Sequence, residues 1–341
     1  MANVEVEGTD DSLEAGTPLE PPAELTLDIL RHSAAHLMAA AVTELFPGAQ
    51  YDVGPSIQDG FFYNFRLPGG ARFSDADLGA IEDRMRRLSK RQIPFRGEVM
   101  DRAEARRLFA EMEQPFKVDI IDRLSEDVDT VSVYRTGEFT DLCRGPHVPD
   151  TGRLRAVKLL RVAGVYWRGD ERNEQLQRVY GTAWFDKAEL DAHLERLEEA
   201  RRRDHRRLGS DLDLYSTSDE LGAGLVLWHP RGGLVRTIIE DHWRTAHRTG
   251  GYEQVFSPHI AQRGLWETSK HLDFYADGMF GPMYIDERPY QLKPMNCPFH
   301  ILIYKSRNRS YRELPLRFAE LGTVYRNERS GVLHGMLRVR G

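Results

Sequence analysis

DILRHSAAHLMAAAVTELFPG, Asp28 to Gly48, repeats its apolar residues Ile29, Leu37, Met38, Ala41, Val42 and Leu45 at spacings near three and four. That is the period of a helix, and Pro47-Gly48 ends it. His32 and His36 stand at i and i+4, so both imidazoles project from one face. A second stretch, TDLCRGPHVPD (Thr140 to Asp150), sets Cys143 four places before His147. Its Gly145-Pro146 and Val148-Pro149 exclude a regular helix or a central strand. A turn-rich segment bearing reactive groups is where sites tend to be found. Taken alone, Cys143 and His147 are most simply a buried structural thiol beside a surface histidine. His-x3-His on a helix together with Cys-x3-His on a loop is different. Two short pairs from distant parts of a chain are how a four-ligand metal site is usually written. The same residues could equally line a hydrolytic pocket, where imidazoles orient water and move protons. Two separate, internally satisfied pairs are the plainer alternative, which four such residues in two tight pairs make the minority reading.

The background permits a large enzyme. The chain has 341 residues, room for two domains or more. Apolar content of 40% and charged content of 29% fit a soluble globular protein. No apolar run approaches membrane length and the N-terminus is acidic, so neither a spanning helix nor a signal peptide is expected, and the expected location is cytoplasmic. Cys143 and Cys297 are too few for a disulfide framework. A net charge of −6 argues against a uniformly basic nucleic-acid binder and leaves room for a basic patch.

Residues 1–22 are acidic, contain Gly and Pro and lack large apolar residues; a disordered tail is expected there. Residues 23–185 mix helical and extended patterns in an α+β domain. In Arg72–Phe95, Ser74 with Asp77 starts a helix on Leu78, Ile81, Met85 and Leu88. DRAEARRLFAEM reads as a short helix; PFRGEVM, LRAVKLLRVAGVYWRGD and QLQRVYGTAWF read as extended. Residues 186–209 read as one linker helix, with Asp186 and Glu189 as its capping box and Gly209 as its stop. Its arginines, Arg201 to Arg207, suit a solvated face better than a phosphate contact. Residues 210–341 give a strand, a long amphipathic helix through Leu234, Ile238, Ile239 and Trp243, and a strand running into Pro258. A strand, a Pro-bounded loop with Cys297 and a helix follow, then a strand bearing Arg326 and Glu328.

HSAAH with TDLCRGPH, the long helix ending at Ser257-Pro258, KPMNCPFH, and YRNE followed by SGVLHGMLRVRG occur in an order that resembles the threonyl-tRNA synthetases. The match runs from about Ala23 to Gly341. The resemblance implies an editing domain of the threonyl/alanyl-tRNA synthetase type joined by a helix to an incomplete class II antiparallel-sheet catalytic domain. It implies that His32, His36, Cys143 and His147 line a pocket, usually metal-free, that hydrolyses seryl-tRNA. Tyr63 would stand in the same wall, Lys117 would orient the ester or sense the side chain, and Asp141 would bind the amino group.

In the other domain the resemblance places Arg326 on the α-phosphate of ATP, Glu328 on the adenine amino group, Arg338 on the remaining phosphates and Met295 against the substrate. A fixed bidentate cation suits charge developing at phosphate. Cys297 would be one ligand of a zinc ion that holds threonine's amino and hydroxyl groups. Zinc, Mg2+ with ATP, tRNA(Thr), threonine and a second copy docked through the long helix are the implied cofactors and partners, with no membrane. Zinc excludes valine, which lacks the hydroxyl. Serine lacks only a methyl, so a second, hydrolytic site is needed. Three departures stand out. The acidic tail replaces the family's small N-terminal domain, Phe299 replaces a usual Gly, and the chain stops at Gly341, before the remaining zinc ligands. A fragment is therefore expected. The function expected is that of a threonine–tRNA ligase; the alternatives are a deacylase acting in trans and a non-catalytic binding paralogue.

Overall fold

The computed structural model describes residues 14–222, 224–328 and 336. The chain divides into two compact units, Met1–Leu197 and Glu198–Gly341. The first runs β1 (Pro18–Leu19), α1 (Leu27–Leu45), β2 (Gln50–Tyr51), β3 (Ser56–Ile57), β4 (Gly60–Arg66), α2 (Asp75–Lys90), β5 (Phe95–Asp101), α3 (Arg102–Glu111), α4 (Pro115–Asp122), β6 (Thr130–Thr136), β7 (Phe139–Leu142), β8 (Ala156–Tyr166), β9 (Gln175–Trp184) and α5 (Lys187–Arg202). Two antiparallel sheets result, one in the order β1-β5-β6-β7 and the other β2-β4-β9-β8, with β3 also on β4.

Helix α1 touches strands of both sheets, and nearly every residue from Leu30 to Val42 is buried. Its Ala-rich sequence permits this, because a helix apolar on most of its faces belongs in a core. Thr26 caps its start, accepting from Ile29 N at 3.3 Å. Phe61, Tyr63 and Phe65 alternate inward from β4 and close the core against α1. Helix α2 carries the expected capping box between Ser74 and Asp77.

Two expectations fail, one at the start of this unit and one across its end. Disorder does not extend to Pro22: Gly16 N donates to Val99 O (2.7 Å), Val99 N donates to Thr17 O (2.9 Å), and Pro18–Leu19 pair with Glu98–Gly97. Main-chain pairing to an open edge needs no large side chains, so composition could not reveal it. Nor is residues 186–209 one helix. Arg203 and Asp204 interrupt it, and Asp204 caps a second helix, α6 (His205–Asp211), accepting from Arg206 N at 2.9 Å. Gly209 lies inside α6, where a Cβ would sit 2.2 Å from the Tyr215 ring, so glycine is there for close packing and not as a stop. The start of α5 packs on the first unit, with Leu190 and His193 buried and the His193 ring 5.0 Å from that of Trp184.

The second unit continues with β10 (Tyr215–Ser216), β11 (Leu227–Trp228), α7 (Pro230–Thr249), β12 (Glu253–Gln254), β13 (Ile260–Gln262), α8 (Arg263–Thr268), α9 (His271–Phe274), β14 (Met283–Ile285), β15 (Arg288–Leu292), α10 (Cys297–Lys305) and β16 (Phe318–Ala319). Strands β13, β15 and β14 form an antiparallel sheet, and β12 pairs parallel with β16. Leu234, Ile238 and Ile239 lie exposed along α7. Among the described residues the segment with Arg326 and Glu328 is not a strand. Its main-chain groups are used singly, Tyr325 N donating to Lys293 O (2.8 Å) and Asn327 N to Gly278 O (2.9 Å), so no ladder forms there.

Candidate active site

The two motifs meet. One ligand atom from each of His32, His36, Cys143 and His147 lies within 4.8 Å of the others. His32 Nε2 is 2.8 Å and His147 Nε2 is 3.3 Å from Cys143 Sγ, which also accepts from Gly145 N at 3.2 Å. The His32 and His147 rings stack at 4.5 Å, and Phe95 stacks on the far side of His147 at 4.9 Å.

Beneath this group lies an ion pair. Lys117 Nζ is 2.6 Å from Asp141 Oδ1, and His36 Nε2 is 3.2 Å from Asp141 Oδ2. Tyr63 OH donates to Asp141 Oδ2 at 2.5 Å, and Lys117 Nζ donates to Tyr63 OH at 3.2 Å. Both charges are buried, which is tolerable only because each is paired and hydrogen-bonded.

His32, His36, Lys117, Asp141 and Cys143 line a cavity of about 330 Å³ whose walls also include Val53, Ile120 and Leu142. Tyr63 and His147 are not part of that lining. They stand behind it and hold Asp141 and Cys143. Asp141 has both oxygens occupied by Lys117, His36 and Tyr63, so it serves as their anchor more than as a free carboxylate for an incoming amine.

Burial sets the protonation states. His32 is pushed down to about 4 by desolvation; Lys117 pushes the same way, and the Gly54 carbonyl opposes it. Burial also drives His147 and His36 well below the usual imidazole range, with neighbouring His147, His32 and Lys117 adding to the effect on His36. The Cys143 thiol is pushed up to about 12 by burial, with Asp141 adding to it. Burial raises the Asp141 carboxyl against the pull of Lys117 and Tyr63. At neutral pH the cavity therefore presents two neutral imidazoles, His32 and His36, and a protonated thiol, with neutral His147 behind them.

The residue types suit zinc and their ligand atoms are grouped closely enough to hold an ion, but here His32 and Cys143 are hydrogen-bonded to each other rather than spaced as two ligands. Two ligands of one tetrahedral zinc, at ordinary bond lengths, stand about 3.5 Å apart. His32 Nε2 and Cys143 Sγ are 2.8 Å apart, a direct hydrogen bond.

Several participants gave no sequence signal. Ser33 lies between the two histidines in sequence and reaches both His147 Nδ1 (3.1 Å) and Val148 N (3.0 Å). Gly54 offers its carbonyl to His32 Nδ1 at 3.2 Å. A Cβ there would sit 2.1 Å from the Tyr63 ring, so only glycine lets that ring pass. Tyr51 OH donates to Thr140 O (2.6 Å) and fixes the start of the reactive loop.

In the second unit, Arg326 Nε donates to Pro294 O at 3.3 Å, which brings it beside the loop carrying Met295 and Cys297. Met295 is half-buried, and Cys297 is an exposed thiol at the first residue of α10. Among the described residues Cys297 joins no cluster of three metal-binding side chains, so no zinc site can be assembled around it there. Arg338 lies outside the described residues. A network absent from the sequence reading ties this region together. Lys293 Nζ donates to Ser257 Oγ (2.7 Å) and lies 3.7 Å from Glu320, which also meets His300 Nε2 at 2.9 Å. Burial pushes the Glu320 carboxyl up, but His300, Ser257 and Lys293 together hold it below its usual range.

Residues 131–180 match the family described as "Threonyl and Alanyl tRNA synthetase second additional domain", and residues 283–341 match "tRNA synthetase class II core domain (G, H, P, S and T)". A threonine–tRNA ligase of Nitrosococcus oceani is 54% identical over 338 residues, covering 96% of this chain and 52% of the relative. One from Magnetococcus marinus is 56% identical over 315 residues, covering 92% and 48%. Along nearly its whole length the chain is similar to threonyl-tRNA synthetases. It spans about half the length of the curated relatives it matches. Among solved structures, the RNA binding domain of threonyl-tRNA synthetase from Cryptosporidium parvum is 40% identical, with a TM-score of 0.39 over 40% of this chain and 34% of that one. The region matched to the additional domain holds Asp141, Cys143 and His147, and the cavity is completed by synthetase-like sequence on α1. Among the described residues no helix is long and apolar enough to cross a membrane.

Proposed function

We propose that the first unit hydrolyses seryl-tRNA(Thr), and that the protein to which this sequence belongs is a threonine–tRNA ligase which edits its own errors. The observation that carries the reading is the clustering of three neutral imidazoles, two of them lining one cavity, over a buried Lys117–Asp141 pair. In this reading a water oxygen bonds to the ester carbonyl carbon while an imidazole nitrogen takes its proton. The ribose oxygen then leaves and receives that proton, giving serine and free tRNA. Lys117, anchored by Asp141, is the cation available for charge building on the carbonyl oxygen. The reaction needs no metal at this site. Arg326, Glu328, Arg338 and Met295 are proposed to bind ATP and threonine. Zinc, through Cys297 and ligands outside the described residues, Mg2+ with ATP, a homodimer through exposed α7 and a cytoplasmic location complete the proposal. A deacylase acting in trans is the second reading, favoured because the whole cavity lies within one unit.

The test is single-turnover hydrolysis of seryl- and threonyl-tRNA(Thr) by the full chain. Seryl-tRNA should be cleaved and threonyl-tRNA largely spared, one methyl being worth roughly 1–3 kcal/mol of discrimination. His32→Ala should slow cleavage by about 10²–10⁴-fold, and Arg326→Ala should not. Loss of cleavage in Arg326→Ala alone would overturn the assignment. One equivalent of bound zinc that disappears in His36→Ala would overturn its metal-free form.

A further inference from the structure

The hydrogen bonds around Cys143 have a direction, and Ser33 sets it. Ser33 is fully buried on α1. Its Oγ lies 2.8 Å from Ile29 O, accepts from Val148 N at 3.0 Å, and lies 3.1 Å from His147 Nδ1. A hydroxyl has one proton and two lone pairs. The shortest contact, to the carbonyl four residues back, takes the proton, as helical serines commonly arrange. Val148 N–H takes one lone pair, so the other is left for a proton on His147 Nδ1. His147 Nε2 is then bare and faces Cys143 Sγ at 3.3 Å.

His32 is fixed in the same way. Its Nδ1 faces the Gly54 carbonyl, which can only accept, so the proton sits there and Nε2 is bare, 2.8 Å from the same sulfur. The thiol has one proton and two bare nitrogens competing for it. His32 lines the cavity and His147 does not. At rest the shorter contact, to His32, takes the thiol proton; turning that proton inward to His147 is what releases the His32 lone pair.

We propose that Ser33 is a positioning residue: by holding His147 in its Nδ1-protonated form it gives the thiol proton an inward acceptor and frees His32 Nε2 to act as a base. This rests on the hydrolytic reading above. Without Ser33, His147 can turn its proton to Nε2 and donate to the sulfur. The thiol proton then has only His32 to go to, and the base is blocked.

The experiment is 15N NMR of the full chain, labelled at histidine and dialysed against chelator, at neutral pH, with His147→Gln to assign the resonances. Wild type should show a protonated Nδ1 and a bare Nε2 at His147. Ser33→Ala should lose that pattern and lower kcat for seryl-tRNA cleavage roughly 10–100-fold, the range for outer partners of a working imidazole, with KM unchanged. Ser33→Thr, which keeps the hydroxyl, should restore both. The wild-type spectrum needs no variant to fold, and Nε2-protonated His147 in it would overturn the inference. So would Ser33→Ala with both spectrum and kcat unmoved. The expected spectrum in a chain that does not cleave seryl-tRNA would instead overturn the hydrolytic reading and leave the positioning of His147 standing.

Discussion

Burial keeps three histidines of the site neutral, and that couples the site to folding. His32, His36 and His147 all titrate lower in the folded protein than in the unfolded chain, where imidazoles titrate near 6.5. Below 6.5 the unfolded chain takes up protons that the folded one refuses. Stability should therefore be fully present above pH 6.5 and fall as pH drops from 6.5 toward 4, the value to which His32 is pushed. His32 alone accounts for about 3 kcal/mol of that loss. The raised Asp141 carboxyl works the other way, one group against three. Urea unfolding at pH 7 and at pH 5 should show a lower midpoint in acid; equal midpoints would contradict this account. Lys117→Met makes a second test. It leaves Asp141 buried without its cation, and breaking a buried pair from one side costs about 3–5 kcal/mol. A variant as stable as wild type would mean that Tyr63 and His36 suffice to hold the carboxylate.

Elements differ in how much of them local sequence reveals. Helix α7 contains adjacent glycines whose substitution should have opposite effects. A Cβ on Gly232 would lie 1.9 Å from the Leu214 carbonyl oxygen, whereas one on Gly233 meets nothing within 4 Å. Helix propensity favours alanine at both by about 1 kcal/mol. Gly233→Ala should therefore raise the melting temperature, and Gly232→Ala should lower it, overpacking costing about 1–3 kcal/mol; a rise in both would show that Leu214 can move aside. The same contrast explains what the sequence disclosed. The helix period of Asp28–Gly48, the box of Ser74 and Asp77, and the alternation in β8 and β9 are signals carried by neighbours in sequence, and they could be read. Whether Leu190 packs on the first unit, whether Asp204 breaks a helix, and whether Pro18–Leu19 find an edge depend on residues far along the chain. The site divides likewise. His32, His36, Cys143 and His147 announce themselves through paired spacing. Lys117, Asp141 and Tyr63 came only through family resemblance, and Ser33 is a serine like any other until the loop folds over it.

Across the whole molecule the two units hold chemistry of different kinds. The first encloses its reactive groups; in the second Cys297 is exposed and Arg326 rests on a loop carbonyl. The first unit also depends on a short piece of chain that looks dispensable. Gly16 to Leu19 hydrogen-bond to Gly97–Val99, along the side of β5 that β6 does not occupy. An uncovered strand edge is a template for pairing with other molecules, and natural sheets cover or interrupt it. The few residues before α1 therefore act as a guard rail against self-association. A protein shortened to begin at Ala23, the boundary that composition recommends, should keep its cavity yet scatter more light and elute in larger species as its concentration rises, while one beginning at Glu14 should remain dispersed.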